Sequence, residues 1–428
     1  MTPYAQTVEE LFDLQKFAIK LGLENISALM ETLEHPEKKY PVIHVAGTNG
    51  KGSTCLYLDH ILRAHGFKSG LFTSPHLVDF RERIRVEGEL IPREEVVAFW
   101  QRIKKKVLER KATFFDTTTA MALDHFARNE VDVAVMETGL GGRLDSTNIV
   151  PAEIAVITPV GFDHQKQLGD TLTDIAGEKA GIIKQGTTVF TGRQPETVAE
   201  VLKNVCQERQ ARLFSVPEHT ELVYGREDDA DGFILKTAGI RIEGRLPQAG
   251  CFQAENLALA LNAAREFIER RGGKLSAKKT ANSLPRMRWP GRLEYVRRRP
   301  DVIFDVSHNL PGIMATVGAL EDKQERGRRY LLLGLVNDKD MTRIVRFLAP
   351  LFDAVVVSEP LSARRQDAAA LEQAFLRYTQ NVKLIKDLTE AYESSLSKLE
   401  KDDTLLVMGS HYLVGALKAR FDKNEGLS

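Results

Sequence analysis

The chain has 428 residues, and its 59 basic and 59 acidic side chains give a formal net charge of zero. This balance argues against the broad positive surface of a nucleic-acid-binding protein, and no apolar run approaches the roughly 20 residues that span a bilayer. The length exceeds one ordinary hydrophobic core, so two domains are expected. The 3 cysteines are widely spaced, which favours a reducing compartment. The N-terminal residues show no basic region followed by an apolar core, so no secretory signal is visible and a cytoplasmic location is expected.

A glycine-rich segment near the N-terminus is the most informative part of the chain. Amphipathic helical spacing over residues 5–35 and a short apolar strand precede the sequence VAGTNGKGST at 45–54, and helical spacing follows it. A strand, a glycine-rich turn, a lysine, a hydroxyl residue and a helix form the architecture of a phosphate-binding loop, in which Lys51 reaches the outer phosphates. Only two residues separate Gly47 from Gly50, fewer than in the commonest form, so the alternative is a plain turn with an exposed lysine.

Strands and helices alternate after this loop. Buried strands are predicted at 70–73, 131–136 and 154–157, the last continuing towards Val160. Helices are predicted at 93–109, 117–128, 172–183 and 254–271. This βαβ rhythm predicts a mostly parallel sheet that is covered on both faces.

The rest of the chain predicts a second, smaller domain. A β-rich stretch at 212–246 contains an acidic run at 227–232, which is most simply a solvated hairpin turn. Five further strands follow, at 302–305, 330–334, 354–357, 382–385 and 404–407. The predicted fold class is α/β, with an N-terminal P-loop ATPase-like domain of mostly parallel sheet (1–290) and a smaller C-terminal Rossmann-like α/β domain (291–428).

Several side chains suited to metal binding follow the predicted strands, at the edge where open α/β sheets bind ligands. Glu137 ends a strand before a glycine-rich loop and could hold Mg²⁺, or could simply open a solvated loop. His164 occupies the corresponding place one strand over, and Ser74 is a hydroxyl at a third strand end. Lys179 lies near a helix C-terminus, where lysines are ordinarily solvated or interact with the helix dipole.

Two groups of charged residues could bind anions. Three arginines alternate after the predicted strand at 70–73, namely Arg81, Arg83 and Arg85. They favour either a charged edge strand or a loop that binds an anionic substrate. In the second domain Asp305, His308 and Arg292 could close over a nucleotide, although His308 could instead cap a helix.

Taken together, these segments resemble the folylpolyglutamate synthase/dihydrofolate synthase family, within the wider Mur ligase superfamily. The likeness covers nearly the whole chain. Its most specific parts are HVAGTNGKGS at 44–53, TSPHL at 73–77, ETGLGGRLD at 137–145, and the Asp163-His164 pair followed by EKAG at 178–181.

The resemblance implies an ATP-dependent ligase, expected to be a monomer, that joins L-glutamate to a reduced folate or to dihydropteroate through an acyl phosphate. The implied ATP-binding residues are Thr48, Asn49, Gly50, Lys51, Gly52, Ser53, Thr54, Asn256, Arg292, Asp305 and His308. The implied ligands of two Mg²⁺ ions are Ser74, Glu137, His164 and Lys179, the last as a carbamate. Lys51, Lys179 and His164 are the implied catalytic residues, and Arg81, Arg83 and Asp116 the implied substrate contacts.

Two positions depart from the family pattern. Leu310 stands before Pro311, where a proline often follows the His-Asn pair directly, and Asp116 stands where a glutamate commonly follows the phenylalanine. Asp116 is shorter by one methylene group, which alters any contact with a pterin.

Two other functions remain open at this point. One is a Mur-type ligase that acts on a nucleotide-linked cell-wall precursor, although only about 40 residues precede the phosphate loop, too few for the additional domain many of these ligases carry. The other is a nucleotide-binding module without catalysis, which would need the loop but neither the set of metal ligands nor Lys179.

Overall fold

The computed structural model describes residues 2–16, 22–227, 230–246, 250–321, 327–337 and 339–424. The chain divides into two compact units. The first comprises Met1–Tyr224, Gly232–Arg245 and Gln253–Met287, and the second comprises Gly225–Asp231, Leu246–Phe252 and Arg288–Ser428.

Eight strands of the first unit form one sheet. They are β1 (Val42–Ala46), β2 (Ser69–Phe72), β3 (Ile84–Val86), β4 (Glu89–Leu90), β5 (Val133–Glu137), β6 (Ala152–Ile157), β7 (Thr188–Thr191) and β8 (Arg212–Ser215). Their order is β4-β3-β2-β5-β1-β6-β7-β8. Every pair from β2 to β8 along this order is parallel, whereas β3, near one edge, pairs antiparallel with both β2 and β4. The predicted mostly parallel sheet is confirmed.

The helices of this unit bury apolar side chains. They are α1 (Pro3–Asp13), α2 (Glu24–Thr32), α3 (Lys51–Ala64), α4 (Arg93–Arg110), α5 (Phe114–Arg128), α6 (Gln165–Leu168), α7 (Leu172–Ala180), α8 (Glu196–Glu208), α9 (Val216–His219), α10 (Cys251–Arg270) and α11 (Ala277–Ser283). Helix α8 is an example. Its buried residues Val198, Leu202 and Cys206 are spaced four residues apart, which places them on one face of the helix. Part of the helical spacing predicted over 5–35, at residues 17–21, lies outside the described residues.

A small sheet of three strands follows, in the order β11-β10-β9. The strands are β9 (Thr220–Glu227), β10 (Ala230–Thr237) and β11 (Ile240–Arg245). Residues 228–229 of the predicted acidic turn lie outside the described residues. The turn between β10 and β11 is a two-residue loop in which Ala238 and Gly239 both have positive φ, 45° and 76°, the geometry that suits a tight hairpin.

The second unit is built on a sheet of six strands. They are β12 (Glu294–Arg297), β13 (Asp301–Phe304), β14 (Arg329–Leu333), β15 (Ala354–Val357), β16 (Val382–Leu384) and β17 (Thr404–Met408). The order is β12-β13-β17-β14-β15-β16, parallel except for β12. The helices are α12 (Leu310–Glu321), α13 (Met341–Leu348), α14 (Ala368–Leu376), α15 (Leu388–Leu396) and α16 (His411–Asn424). The predicted α/β domain and its five strands are confirmed, and the antiparallel edge strand β12 was not predicted.

One predicted strand end was wrong. Strand β6 ends at Ile157 rather than near Val160. The next residue, Thr158, still donates its N–H to Ala46 O at 2.8 Å, but Pro159 has no N–H with which to continue the ladder. The chain therefore leaves the sheet early, and His164 lies on a longer loop than the sequence indicated.

No helix among the described residues is both long and apolar enough to cross a membrane.

Candidate active site

The segment that joins β1 to α3 has the backbone of a phosphate loop. Gly47 and Gly50 have φ angles of 148° and 86°, which side-chain-bearing residues rarely adopt. A Cβ atom at Gly47 would overlap Thr158, and one at Gly50 would overlap the side chain of Asn256 in α10. Helix α3 begins directly after Gly50, which contributes no side-chain cap, so its first N–H groups are available to an anion.

Two lysines converge on one carbonyl oxygen of this loop. Lys51 Nζ donates to Gly47 O and to Thr48 O, each at 3.2 Å, and Lys179 Nζ donates to Gly47 O at 2.8 Å. Lys179 is only 4% exposed although it lies in the last turn of α7. The alternative of an ordinary solvated lysine at a helix end is therefore wrong.

Burial changes the charge of Lys179. Removal from water and, to a smaller extent, the positive charge of Lys51 lower its pKa to about 7, although the carboxylates of Asp163 and Asp145 act in the opposite direction. Near neutral pH a large share of this amine is uncharged. An uncharged amine is the form that adds CO₂, so the environment suits the carbamate that the resemblance implies.

The structure brings Glu137 and Ser74 together. Glu137 ends β5 and is 4% exposed, and its Oε2 accepts a hydrogen bond from Ser74 N at 3.0 Å. Ser74 lies two residues beyond β2, the parallel neighbour of β5. Because parallel strands end at the same edge, the two residues meet there.

This donor set fits a magnesium ion that also carries phosphate oxygens. Mg²⁺ prefers oxygen ligands, keeps several waters and typically takes only one or two carboxylates from the protein. Among the described residues no group of three or more His, Cys, Asp or Glu side chains could hold a metal by itself. Glu137 and Ser74 would hold such an ion together with a bound nucleotide rather than alone.

His164 lies on the loop between β6 and α6. Its φ of 52° places it in the left-handed region, and its Nε2 is 3.9 Å from Oδ1 of the neighbouring Asp163. Asp163 in turn acts on the pKa of Lys179. Asp163 thus lies close to His164 and acts electrostatically on Lys179, whereas Glu137 and Ser74 contact each other directly.

The arginine segment is not an edge strand. Residues Phe80–Arg83 form a single 3₁₀ turn, and the strand that follows them, β3, lies between β2 and β4. Arg81 is paired with Asp79, at 2.8 Å between Nη2 and Oδ2. Arg83 is 7% exposed and donates from Nε to His76 Nδ1 at 2.7 Å. An anionic substrate at Arg81 would therefore compete with Asp79.

Asp116 has a structural task in α5. Its Oδ2 accepts hydrogen bonds from the N–H and the hydroxyl of Thr113, both at 2.9 Å, which closes a capping box at the start of the helix. Its Oδ1 accepts from Ser146 Oγ at 2.6 Å. The side chain is 2% exposed, so a pterin contact at Asp116 stays a prediction.

In the second unit, Asp305 organises the chain around the predicted nucleotide contacts. Its Oδ2 accepts from Leu293 N at 2.9 Å, beside Arg292, and its Oδ1 accepts from Ser307 N and Thr316 Oγ1, both at 2.9 Å. These bonds hold two segments of the second unit, around Arg292 and after β13, against one carboxylate.

His308 does not cap a helix. Its Nδ1 lies 2.9 Å from Val306 O, and its ring centroid lies 5.6 Å from that of His411. The cap of α12 is Asn309, whose Oδ1 accepts from Gly312 N at 2.9 Å. Leu310, the departure from the family pattern, is the first residue of that helix.

Comparison with known proteins places this geometry in a family. Residues 45–264 match the Mur ligase middle domain, and residues 291–411 match the Mur ligase, glutamate ligase domain. The dihydrofolate synthase/folylpolyglutamate synthase of Bacillus subtilis is 34% identical over 95% of this chain and 96% of its own length. This chain belongs to the folylpolyglutamate synthase/dihydrofolate synthase family.

Other members of the family agree in fold and length. The solved structure of Mycobacterium tuberculosis folylpolyglutamate synthase complexed with ADP has a TM-score of 0.92 at 32% identity, over 98% of this chain and 99% of that one. E. coli FolC in complex with DHPP and ADP has a TM-score of 0.89 at 31% identity, over 99% of both chains. The chain spans only 51% of a Haloferax volcanii relative, a probable bifunctional folylpolyglutamate synthase/dihydropteroate synthase that is 33% identical over 98% of this chain.

The family's glycine-rich motif rests on a buried network that the sequence did not reveal. Nε2 of His44, in β1, lies 2.8 Å from Thr147 Oγ1. Thr147 Oγ1 donates a hydrogen bond to Asp145 Oδ1. The other carboxylate oxygen, Asp145 Oδ2, accepts from Leu140 N at 2.7 Å. Burial lowers the pKa of His44 to about 3, so the ring is neutral. The available signal was a histidine inside an otherwise apolar strand. This network fixes the loop that follows Glu137.

Proposed function

We propose that this chain catalyses the ATP-dependent ligation of L-glutamate to a folate-type carboxylate, extending tetrahydrofolate, converting dihydropteroate to dihydrofolate, or both. The observation that carries the proposal is the pair of lysines, Lys51 and Lys179, held on the Gly47 carbonyl of a phosphate loop. A nucleotide switch needs such a loop but not a second, buried lysine. The names of relatives that match the chain over its full length support the folate-type acceptor rather than a cell-wall precursor.

The reaction follows from the chemistry of carboxylates. A carboxylate is a poor acyl donor, so one of its oxygens first attacks the γ-phosphorus of ATP, which forms an acyl phosphate and releases ADP. The amine of L-glutamate then attacks the acyl carbon, phosphate leaves with the electron pair of the broken C–O bond, and the amine loses a proton. No nucleophilic side chain is required.

The residues of the phosphate loop supply position and charge. The N–H groups at the start of α3 hold the phosphates, and Lys51 exchanges its bonds to Gly47 O and Thr48 O for phosphoryl oxygens, where negative charge gathers. Magnesium, held by Glu137 and Ser74, would add positive charge at the same oxygens.

We infer that Lys179 adds CO₂ and serves as a carbamate. Its burial and its pKa of about 7 support this, because the amine is uncharged often enough to react. The reaction forms an N–C bond, releases a proton and leaves an anion beside Lys51. This carbamate and His164, on the loop after β6, would together hold a second Mg²⁺.

The remaining assignments complete the proposal. Residues 1–290 form the ATP-binding domain and residues 291–428 the glutamate-ligase domain. Asn256 lies so close to Gly50 that a Cβ atom at Gly50 would overlap its side chain, which supports its place at the nucleotide. Arg292, Asp305 and His308 are proposed ATP contacts, and Arg81, Arg83 and Asp116 are proposed substrate contacts. The protein is proposed to act as a cytoplasmic monomer.

Phosphate release tests the proposed function. The purified protein is incubated with ATP and Mg²⁺ and with dihydropteroate, tetrahydrofolate or a nucleotide-linked cell-wall precursor, each with and without L-glutamate. We expect phosphate and ADP in equal amounts, dependent on glutamate, with one or both pterin acceptors. Release with neither pterin, or with the cell-wall precursor alone, would contradict the proposal, and the pattern between the two pterins decides between one activity and two.

A further inference from the structure

The side chain of Thr48 fastens the phosphate loop to the loop that follows β6. Thr48 Oγ1 donates to Gly161 O at 3.0 Å and accepts from Gly161 N at 3.0 Å. The backbone N–H of Thr48 donates to Pro159 O at 3.1 Å. Strands β1 and β6 are parallel neighbours, so the two loops leave the sheet side by side and these three bonds close the gap between them.

These bonds leave Thr48 without a donor for a phosphate. A hydroxyl group carries a single hydrogen, and that of Thr48 is committed to Gly161 O. Its backbone N–H is committed to Pro159 O. We call the three bonds of Thr48 to Gly161 and Pro159 the clip. If Thr48 contacts a phosphate, as the resemblance implies, the clip must first open.

The loop held by this clip carries Asp163 and His164. This loop is not part of the sheet, because β6 ends at Ile157. A second bond holds the loop from the opposite side, from Val160 N to Gln194 Oε1 at 3.0 Å. Gly161 lies only three residues before His164, so the bonds of Thr48 fix the end of the loop nearest to that side chain.

We propose that Thr48 is a positioning residue, whose hydroxyl sets the loop of Asp163 and His164 relative to the bound phosphates. This inference rests on the proposed function. Groups that orient a metal ligand typically change metal affinity or activity by about 10- to 100-fold when they are removed. An effect of the same size is expected for Thr48, with little change in nucleotide binding itself.

Three variants separate this role from a general loss of structure. Thr48→Val keeps the shape and removes the hydroxyl, whereas Thr48→Ser keeps the hydroxyl. Thr187→Val is the matched control. Thr187 Oγ1 makes the same two kinds of bond, since it accepts from Lys184 N at 3.2 Å and donates to Ala152 O at 3.3 Å. These bonds lie at the end of the sheet where β6 and β7 begin, opposite the end where β1 and β6 lead into the loops of Thr48 and His164.

Hydrogen exchange measured by mass spectrometry reports on the clip without any ligand. We expect the amides of residues 160–168 to exchange faster in Thr48→Val, by about two- to tenfold for each of the two hydrogen bonds that the variant removes. Thr48→Ser and Thr187→Val should match the wild type in this segment. Unchanged exchange in Thr48→Val would overturn the inference.

Metal dependence is the second readout. Thr48→Val should need about tenfold more Mg²⁺ for half-maximal phosphate release, while its dissociation constant for ADP without metal stays near that of the wild type. A variant that loses ADP affinity but keeps its exchange rates and Mg²⁺ dependence would make Thr48 a phosphate ligand instead. If the wild-type protein releases no glutamate-dependent phosphate, the proposed function fails, whereas the exchange comparison still tests the clip.

Discussion

Replacement of Lys51 by methionine is expected to lower kcat for phosphate release by about 10²- to 10³-fold, the usual effect of removing one group that stabilises charge in the transition state. Methionine keeps an unbranched apolar stem and removes only the ammonium group. That group lies at the start of α3, 3.2 Å from two carbonyl oxygens of its own loop, and a bound triphosphate would offer it stronger acceptors.

The control for this variant is Lys203→Met, which changes an exposed lysine on α8 and should leave kcat unchanged. Thermal unfolding should give similar melting temperatures for both variants, because the two hydrogen bonds of Lys51 lie within its own loop. A nearly normal kcat in the Lys51→Met protein would contradict the role of the phosphate loop in the proposed mechanism.

Replacement of Lys179 by glutamine is expected to lower kcat by about 100-fold or more. Glutamine keeps most of the length of the side chain and an N–H donor, so the packing of α7 is largely kept, but its amide cannot add CO₂. The loss should therefore appear in kcat and in Mg²⁺ dependence. In the wild type, the carbamate fraction should rise as the pH rises through about 7, the pKa of this amine, because only the uncharged form reacts.

Carbon-13 NMR with labelled bicarbonate checks the carbamate directly. The wild type and Lys184→Gln should show a carbamate signal, and Lys179→Gln should not. Lys184 is a suitable comparison because burial also lowers the pKa of this amine, while its Nζ bonds to Asn148 O at 2.9 Å and to Asn148 Oδ1 at 2.7 Å. A signal that survives in Lys179→Gln would place the carbamate elsewhere.

The sequence predicted what depends on topology. In a parallel sheet every strand ends at the same edge, so residues found directly after strands, such as Ser74 and Glu137, could be expected to meet from their places in the chain alone. The conformation of the phosphate loop was predictable for a similar reason, because Gly47, Gly50 and Lys51 are placed by local backbone rules.

What depends on tertiary packing could not be predicted. Lys179 is buried because the glycine-rich loop packs against the last turn of α7: a Cβ at Gly142 would press on the carbonyls of Glu178 and Lys179, and one at Gly181 would overlap Arg143. The motif shows that small residues are needed, but not which helix comes close.

The choice of side-chain partners was equally hidden. The pairing of Arg81 with Asp79, and the bonds of Asp116 to the N-cap residue Thr113, both depend on rotamers and on which neighbour is nearer. In the sequence these residues are simply charged groups near a predicted site. The early end of β6 was predictable, because Pro159 cannot continue the hydrogen-bond ladder, but the apolar residues next to this proline favoured a longer strand.

An oxygen-18 transfer experiment tests the central claim most directly. The acceptor is prepared with both oxygens of its reacting carboxylate labelled and is turned over with ATP and L-glutamate. If an acyl phosphate forms, each amide bond made should deliver one labelled oxygen to inorganic phosphate and keep the other in the amide. Unlabelled phosphate, or label in AMP, would contradict phosphoryl transfer to the carboxylate and with it the proposed route to the amide bond.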